Sequence, residues 1–257
     1  MNIYNSHEKN ELNLLASYFD ESPSILYYGE LGDITDKWPS FLSQLRQYDS
    51  PDMYAIVDDT LVIMEHFVFD ASRETKSKGM ERIRKDREAH AKLWENATNG
   101  NIPAVAVTQA GETVSLQSWQ KNFERHFDSH YAKIGQYVEN GKKAASMEQP
   151  SKTEGIVSCK IGFFIEEEFP PILEINGTLR EARYIETKQF LDFFRYKNKV
   201  DFILYGTQYD GHRSVFYIDH KHTVDRDKAI DLEDKNININ ISNINKNEHT
   251  FYFLEKL

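Results

Sequence analysis

Apolar positions cluster most densely between Met53 and Phe69, as two runs separated only by the acidic pair Asp58-Asp59. Short runs rich in aliphatic and aromatic residues on either side of a polar pair predict strands Met53–Val57 and Thr60–Phe69 joined by a two-residue turn. That loop length sets Val57 opposite Thr60, Ala55 opposite Val62, Met53 opposite Met64 and Asp52 opposite Glu65. Upstream, Leu12, Leu15, Ala16 and Phe19 recur at helical spacing and predict a helix over 7–20. A short strand over Ile25–Tyr28 follows, then a helix over Ser40–Tyr48 with Phe41, Leu42 and Leu45 on one side.

Downstream of the hairpin the period lengthens. A helix with a wide polar face is expected over Met80–Asn96 and a buried strand within Asn101–Gln109. Leu116, Trp119, Phe123, Phe127, Tyr131 and Ile134 step by threes and fours, predicting one long helix over Ser115–Asn140. The small, polar stretch Gly141–Glu154, broken by Pro150, has the composition of a linker. Strands return at Ile156–Glu166, Val200–Gly206 and Ser214–Asp219, with a helix at Lys188–Tyr196 between them and Gly211 marking a turn. Alternating Asn and Ile over Asn236–Ile241 predict a half-buried or edge strand, with His249–Leu254 as its partner.

This order implies an α/β fold with a mixed central β-sheet flanked by helices. It reads as one domain over 1–257, with 72–150 as a mainly helical insertion or subdomain. A division into cores at 1–110 and 151–257 fits the same pattern.

Composition narrows the class. With 40% hydrophobic and 13% aromatic residues in 257, the chain can bury a substantial core. The lone Cys159 excludes a disulfide framework and any multi-cysteine metal centre, which suits a reducing cytoplasm. No basic-then-apolar leader opens the chain, and no apolar run reaches membrane-spanning length, so no membrane association is expected. The net charge of −10 argues against a general nucleic-acid coat. Charge is uneven, however. Arg73–Lys92 holds eight basic residues against four acidic ones directly after the hairpin. Such a strip suits phosphate backbone, and equally a solvated helix face laced by Glu81–Lys85 and Glu88–Lys92 pairs.

The chemistry is concentrated at the hairpin. Carboxylates directly opposed on neighbouring strands repel, and a hard divalent cation relieves that repulsion. Pro51-Asp52, a short hairpin and Glu65 within an apolar strand resemble the signature of the PD-(D/E)XK nucleases. The resemblance covers about twenty residues. It implies a restriction-endonuclease-like core, a magnesium ion held by Asp52 and Glu65, and hydrolysis of phosphodiester bonds in DNA or RNA. The motif lysine, two residues after the Glu, is absent: that position is Phe67. Lys78, or Lys76, is the candidate to supply its charge. An acidic residue from the N-terminal helix, Glu8 or Glu11, also joins the site in many members. His66 should point to the opposite sheet face.

Other titratable residues invite weaker readings. His126 and His130 stand one turn apart without the glutamate of a metalloprotease helix. The run Glu166-Glu167-Glu168 suits a solvated strand end, and His220 and His222 alternate as a surface pair. Two functions therefore stand: a magnesium-dependent nuclease, or a nuclease-fold module without catalysis that binds nucleic acid through Arg73–Lys92 or a protein partner.

Overall fold

The computed structural model describes residues 11–21, 24–28, 34–36, 39–69, 116–167, 172–175, 178–209, 212–234 and 237–240. Its centre is the hairpin of β4 (Met53–Val57) and β5 (Thr60–Phe69), paired in the expected register from Met53↔Met64 to Val57↔Thr60. Asp58 takes the left-handed backbone conformation, φ 54°, that the tight turn requires.

β5 is buried on both faces, so one strand serves two cores. Leu61, Ile63, Phe67 and Phe69 point into the larger one, while Val62 and Met64 point into the other. On its far side β5 runs parallel to β6 (Ser158–Glu167) over ten register pairs, and β6 runs parallel to β9 (Phe202–Tyr209). β10 (His212–Ile218) returns antiparallel to β9, and β1 (Ile25–Tyr27) pairs parallel with β10. With β2 (Ile34–Asp36) and β3 (Arg46–Gln47) at the edges, the sheet has eight strands in the order β2-β1-β10-β9-β6-β5-β4-β3. A second, three-stranded sheet holds β7 (Ile172–Ile175), β8 (Thr178–Glu181) and β11 (Ile237–Asn240), in the order β11-β7-β8. The alternating Asn-Ile segment is thus a strand whose partner is β7. The 249–254 segment, like the strand expected within Asn101–Gln109, lies outside the described residues.

The β5–β6 connection includes α2 (Leu116–Tyr131) and α3 (Ile134–Glu148). The aromatic stripe of α2 produces the larger core: Trp119, Phe123 and Phe127 are fully buried against Phe67, Phe69, Phe163, Tyr184 and Tyr205. Phe127 meets Phe163 edge-on at 5.0 Å, and Phe123 meets Phe69 edge-on at 5.3 Å. Edge-to-face contacts add to the area term for each ring. α5 (Lys188–Phe194) closes this face, capped by Thr187, whose Oγ1 accepts from the Phe190 amide at 3.0 Å. α1 (Glu11–Glu21) covers the other face through Leu15 and Tyr18. Among the described residues, no helix is long and apolar enough to cross a membrane.

Three elements differ from their sequence expectation. Residues 115–140 are not one helix; the chain turns at Ala132 and Lys133 and starts a second helix. Gly141–Glu154 is not a linker, since α3 runs through it and Pro150–Thr153 forms α4. Its small residues serve close packing: a Cβ on Gly141 would lie 2.9 Å from Ile63 Cδ1, and Ala144 and Ala145 are buried. Ser40–Tyr48 is a 3-10 turn over Ser40–Gln44 followed by β3, because Arg46 and Gln47 pair with Tyr54 and Met53 at the sheet edge.

Candidate functional site

Asp52 sits one residue before β4, and the register carries it directly across from Glu65. Its amide lies 3.4 Å from Glu65 Oε2, and its Oδ2 accepts from the His66 amide at 2.7 Å. Glu65 is 8% exposed. Its Oε1 stands 3.3 Å from Nδ1 of His130, in the last turn of α2, and it accepts a hydrogen bond from Tyr137 of α3. His130 Nδ1 is also 3.1 Å from the Tyr137 hydroxyl. The turn at Ala132–Lys133 is what lets two successive helices each present one residue to the same carboxylate.

Electrostatics mark the pair as strained. Removal from water, then the Glu65 charge, push the Asp52 carboxyl up from 3.8 to about 6. The Glu11 carboxylate adds to the rise. Glu11, in the first turn of α1, is held by Gln47, whose Nε2 donates to Glu11 Oε2 at 2.5 Å. The hydrogen bond of Glu11 is to Gln47, and its charge acts on Asp52 from outside the carboxylate pair; Glu8 lies outside the described residues. Tyr137 is pushed well above its ordinary range by burial and by Glu65.

Phe67 is 6% exposed and stacks on the His130 ring, with centroids 4.6 Å apart and planes at 13°. The position of the motif lysine thus belongs to the aromatic core, and the basic group beside Glu65 is His130. Lys76, Lys78 and the whole Arg73–Lys92 segment lie outside the described residues. His66 points to the opposite face, as strand alternation requires. It stacks on Phe164 at 5.0 Å, and its Nε2 lies 3.1 Å from Glu166 Oε2.

Glu166 and Glu167 are not a solvated strand end, and Glu168 lies outside the described residues. Glu166 Oε1 accepts from Tyr18 across Gly206. Glu167 is 1% exposed and accepts from Trp119 Nε1 at 3.2 Å and from Tyr205 at 2.7 Å. Nor do His220 and His222 form a pair along one strand. β10 ends at Ile218; His222 then bonds Asp219, and His220 stacks on Phe194. Sequence reasoning missed His130 and Tyr137 as partners of Glu65. Their only signal was a place on the helical stripe next to Phe127 and Ile134.

Asp52 and Glu65 offer hard oxygen donors to a small divalent cation. Asp52 Oδ2 accepts from the His66 amide, Glu65 Oε1 faces His130, and Glu65 Oε2 makes only a long contact with the Asp52 amide. Magnesium keeps several waters and needs only one or two carboxylates, so this set fits it. Among the described residues, no group of three or more His, Cys, Asp and Glu side chains is arranged to hold a metal. The chain matches no protein-family model, no curated protein and no solved structure.

Proposed function

We propose that the protein is a magnesium-dependent phosphodiester hydrolase resembling the PD-(D/E)XK nucleases, with Asp52 and Glu65 as its metal-binding carboxylates. The observation that carries this reading is the placement of two repelling carboxylates across one strand pair, with Asp52 raised first by burial and then by its neighbour. A folded protein keeps such strain where function needs the charge. When bound, the cation polarises the scissile phosphate and lowers the pKa of the attacking water. Asp52 is oriented by the His66 amide, and Glu65 by His130 and Tyr137. His130 is the basic group next to Glu65 where the motif lysine is missing, and Lys78 or Lys76 adds charge from the segment after β5. Arg73–Lys92 meets the nucleic-acid backbone in this reading.

A second reading has its own support. Phe67 is locked into the aromatic core and two side chains already hold Glu65, as suits a non-catalytic module of the same fold that binds nucleic acid or a protein. One titration series separates the two. Magnesium and manganese are titrated calorimetrically into wild type, Asp52→Ala and Glu65→Ala, followed by cleavage assays on single- and double-stranded DNA and RNA. Saturable binding and cleavage, both lost in the variants, support the hydrolase. Nucleic-acid binding without cleavage at saturating manganese selects the module.

A further inference from the structure

Two cavities adjoin at His220 and Lys221, the first on the sheet face opposite Glu65, near the starts of β5, β6 and β9, and the second beside the C-terminal end of α5. The first, of about 520 Å³, is walled by Phe41, Phe202 and Tyr217, with Lys160 and Asn198 among its polar residues. The Phe202 ring lies over Gly162, where a Cβ would collide with Cζ. Tyr217 stacks parallel to Phe202, with centroids 5.8 Å apart and planes at 7°, and Phe41 leans on the same ring at 5.4 Å. Phe202 is buried, whereas Phe41 and Tyr217 keep part of their surface open.

The second cavity, of about 470 Å³, holds Arg195, Lys221 and Arg226 against the single carboxylate of Asp225. His220 and Lys221 line both cavities, and the His220 ring stacks on Phe194 at 4.6 Å. Charge is therefore segregated. The carboxylates of the aromatic cavity are Asp58, Asp201 and Asp219, and two of them are occupied by the backbone. Asp219 accepts from the amides of Lys221 and His222, and Asp201 from that of Ile161. Arg226 is held by Asp192, whereas Lys160 and Lys221 are exposed and form no ion pair among the described residues.

We propose that the paired cavities bind one nucleotide unit, its base against Phe41 and Tyr217 and its phosphate against Arg195 and Lys221. Each volume lies in the range of small-molecule sites, roughly 300–1,000 Å³. An open aromatic face takes any base by stacking, and clustered Arg and Lys take the phosphate. Neither cavity is lined by Asp52, Glu65, His130 or Tyr137, so the site does not rest on the hydrolase reading.

The test is calorimetric titration of adenosine 5′-monophosphate into the full chain, its Phe41→Leu and Lys221→Ala variants, and Asp52→Ala. Saturable binding is expected, weakened about 10-fold by each of the first two changes and unchanged by Asp52→Ala. A 5′-phosphorylated oligothymidylate in a parallel titration tells a free mononucleotide from a strand end as the source. Phe41→Leu keeps apolar volume while removing the stacking ring, and melting temperatures verify that both variants fold. The proposal is overturned by no saturation at millimolar nucleotide, by affinity indifferent to both variants, or by inorganic phosphate binding as tightly as the nucleotide.

Discussion

Replacing Asp52 with Asn should make the protein more stable at neutral pH, although it removes a residue proposed to bind metal. Folding raises the Asp52 carboxyl from 3.8 to about 6. The charged form is therefore disfavoured in the fold, first by desolvation and then by Glu65. Each pKa unit is worth about 1.36 kcal/mol, so the full shift corresponds to about 3 kcal/mol. Asp52 is only half-buried, and screening at its open side brings the expected gain to about 1.5 kcal/mol. The sign fixes the pH window. Below the unfolded value the acid is neutral in both states and costs nothing; the penalty grows as pH rises from 3.8 towards 6 and is complete above it. The Asn carbonyl still accepts from the His66 amide, so the hydrogen bond at 2.7 Å survives. Urea unfolding of wild type and Asp52→Asn between pH 4 and 8 measures the difference. The two curves should converge at the acid end and separate in favour of the variant near neutrality, and magnesium should narrow the gap by stabilising wild type alone. A variant less stable than wild type at pH 7, or a difference that does not change with pH, would refute the account of Asp52 as a strained carboxylate.

Three further outcomes follow from the packing. Gly162→Ala drives a methyl into the Phe202 ring and should cost about 1–3 kcal/mol by chemical denaturation, with Phe202→Leu recovering part of the loss. Phe127→Ala empties a site ringed by Phe67, Phe163 and Phe193 and should cost about 3–5 kcal/mol, read as a fall in melting temperature. Thr187→Ala removes the cap on Phe190 and should cost about 1 kcal/mol, while Thr187→Ser keeps most of it.

The hairpin and its register were legible in the sequence because both are local. Between two apolar runs the two-residue turn alone fixes the pairing, which puts Asp52 across from Glu65, and strand alternation sends His66 to the other face. Helix α2 was legible through its aromatic stripe, and β6, β9 and β10 through short apolar runs of strand length. Tertiary structure decided the rest. Gly141, Ala144 and Ala145 have a linker's composition, yet Gly141 lies against Ile63, where a side chain would crowd it, and both alanines are buried. Glu166 and Glu167 look like a solvated run until Tyr18, Trp119 and Tyr205, all distant in sequence, supply their hydrogen bonds. His130 and Tyr137 reach Glu65 only because the chain breaks between two helices, and Phe67 occupies the lysine position as part of an aromatic core it shares with α2 and β6. Periodicity records which residues are buried; it does not record which distant residue each of them meets.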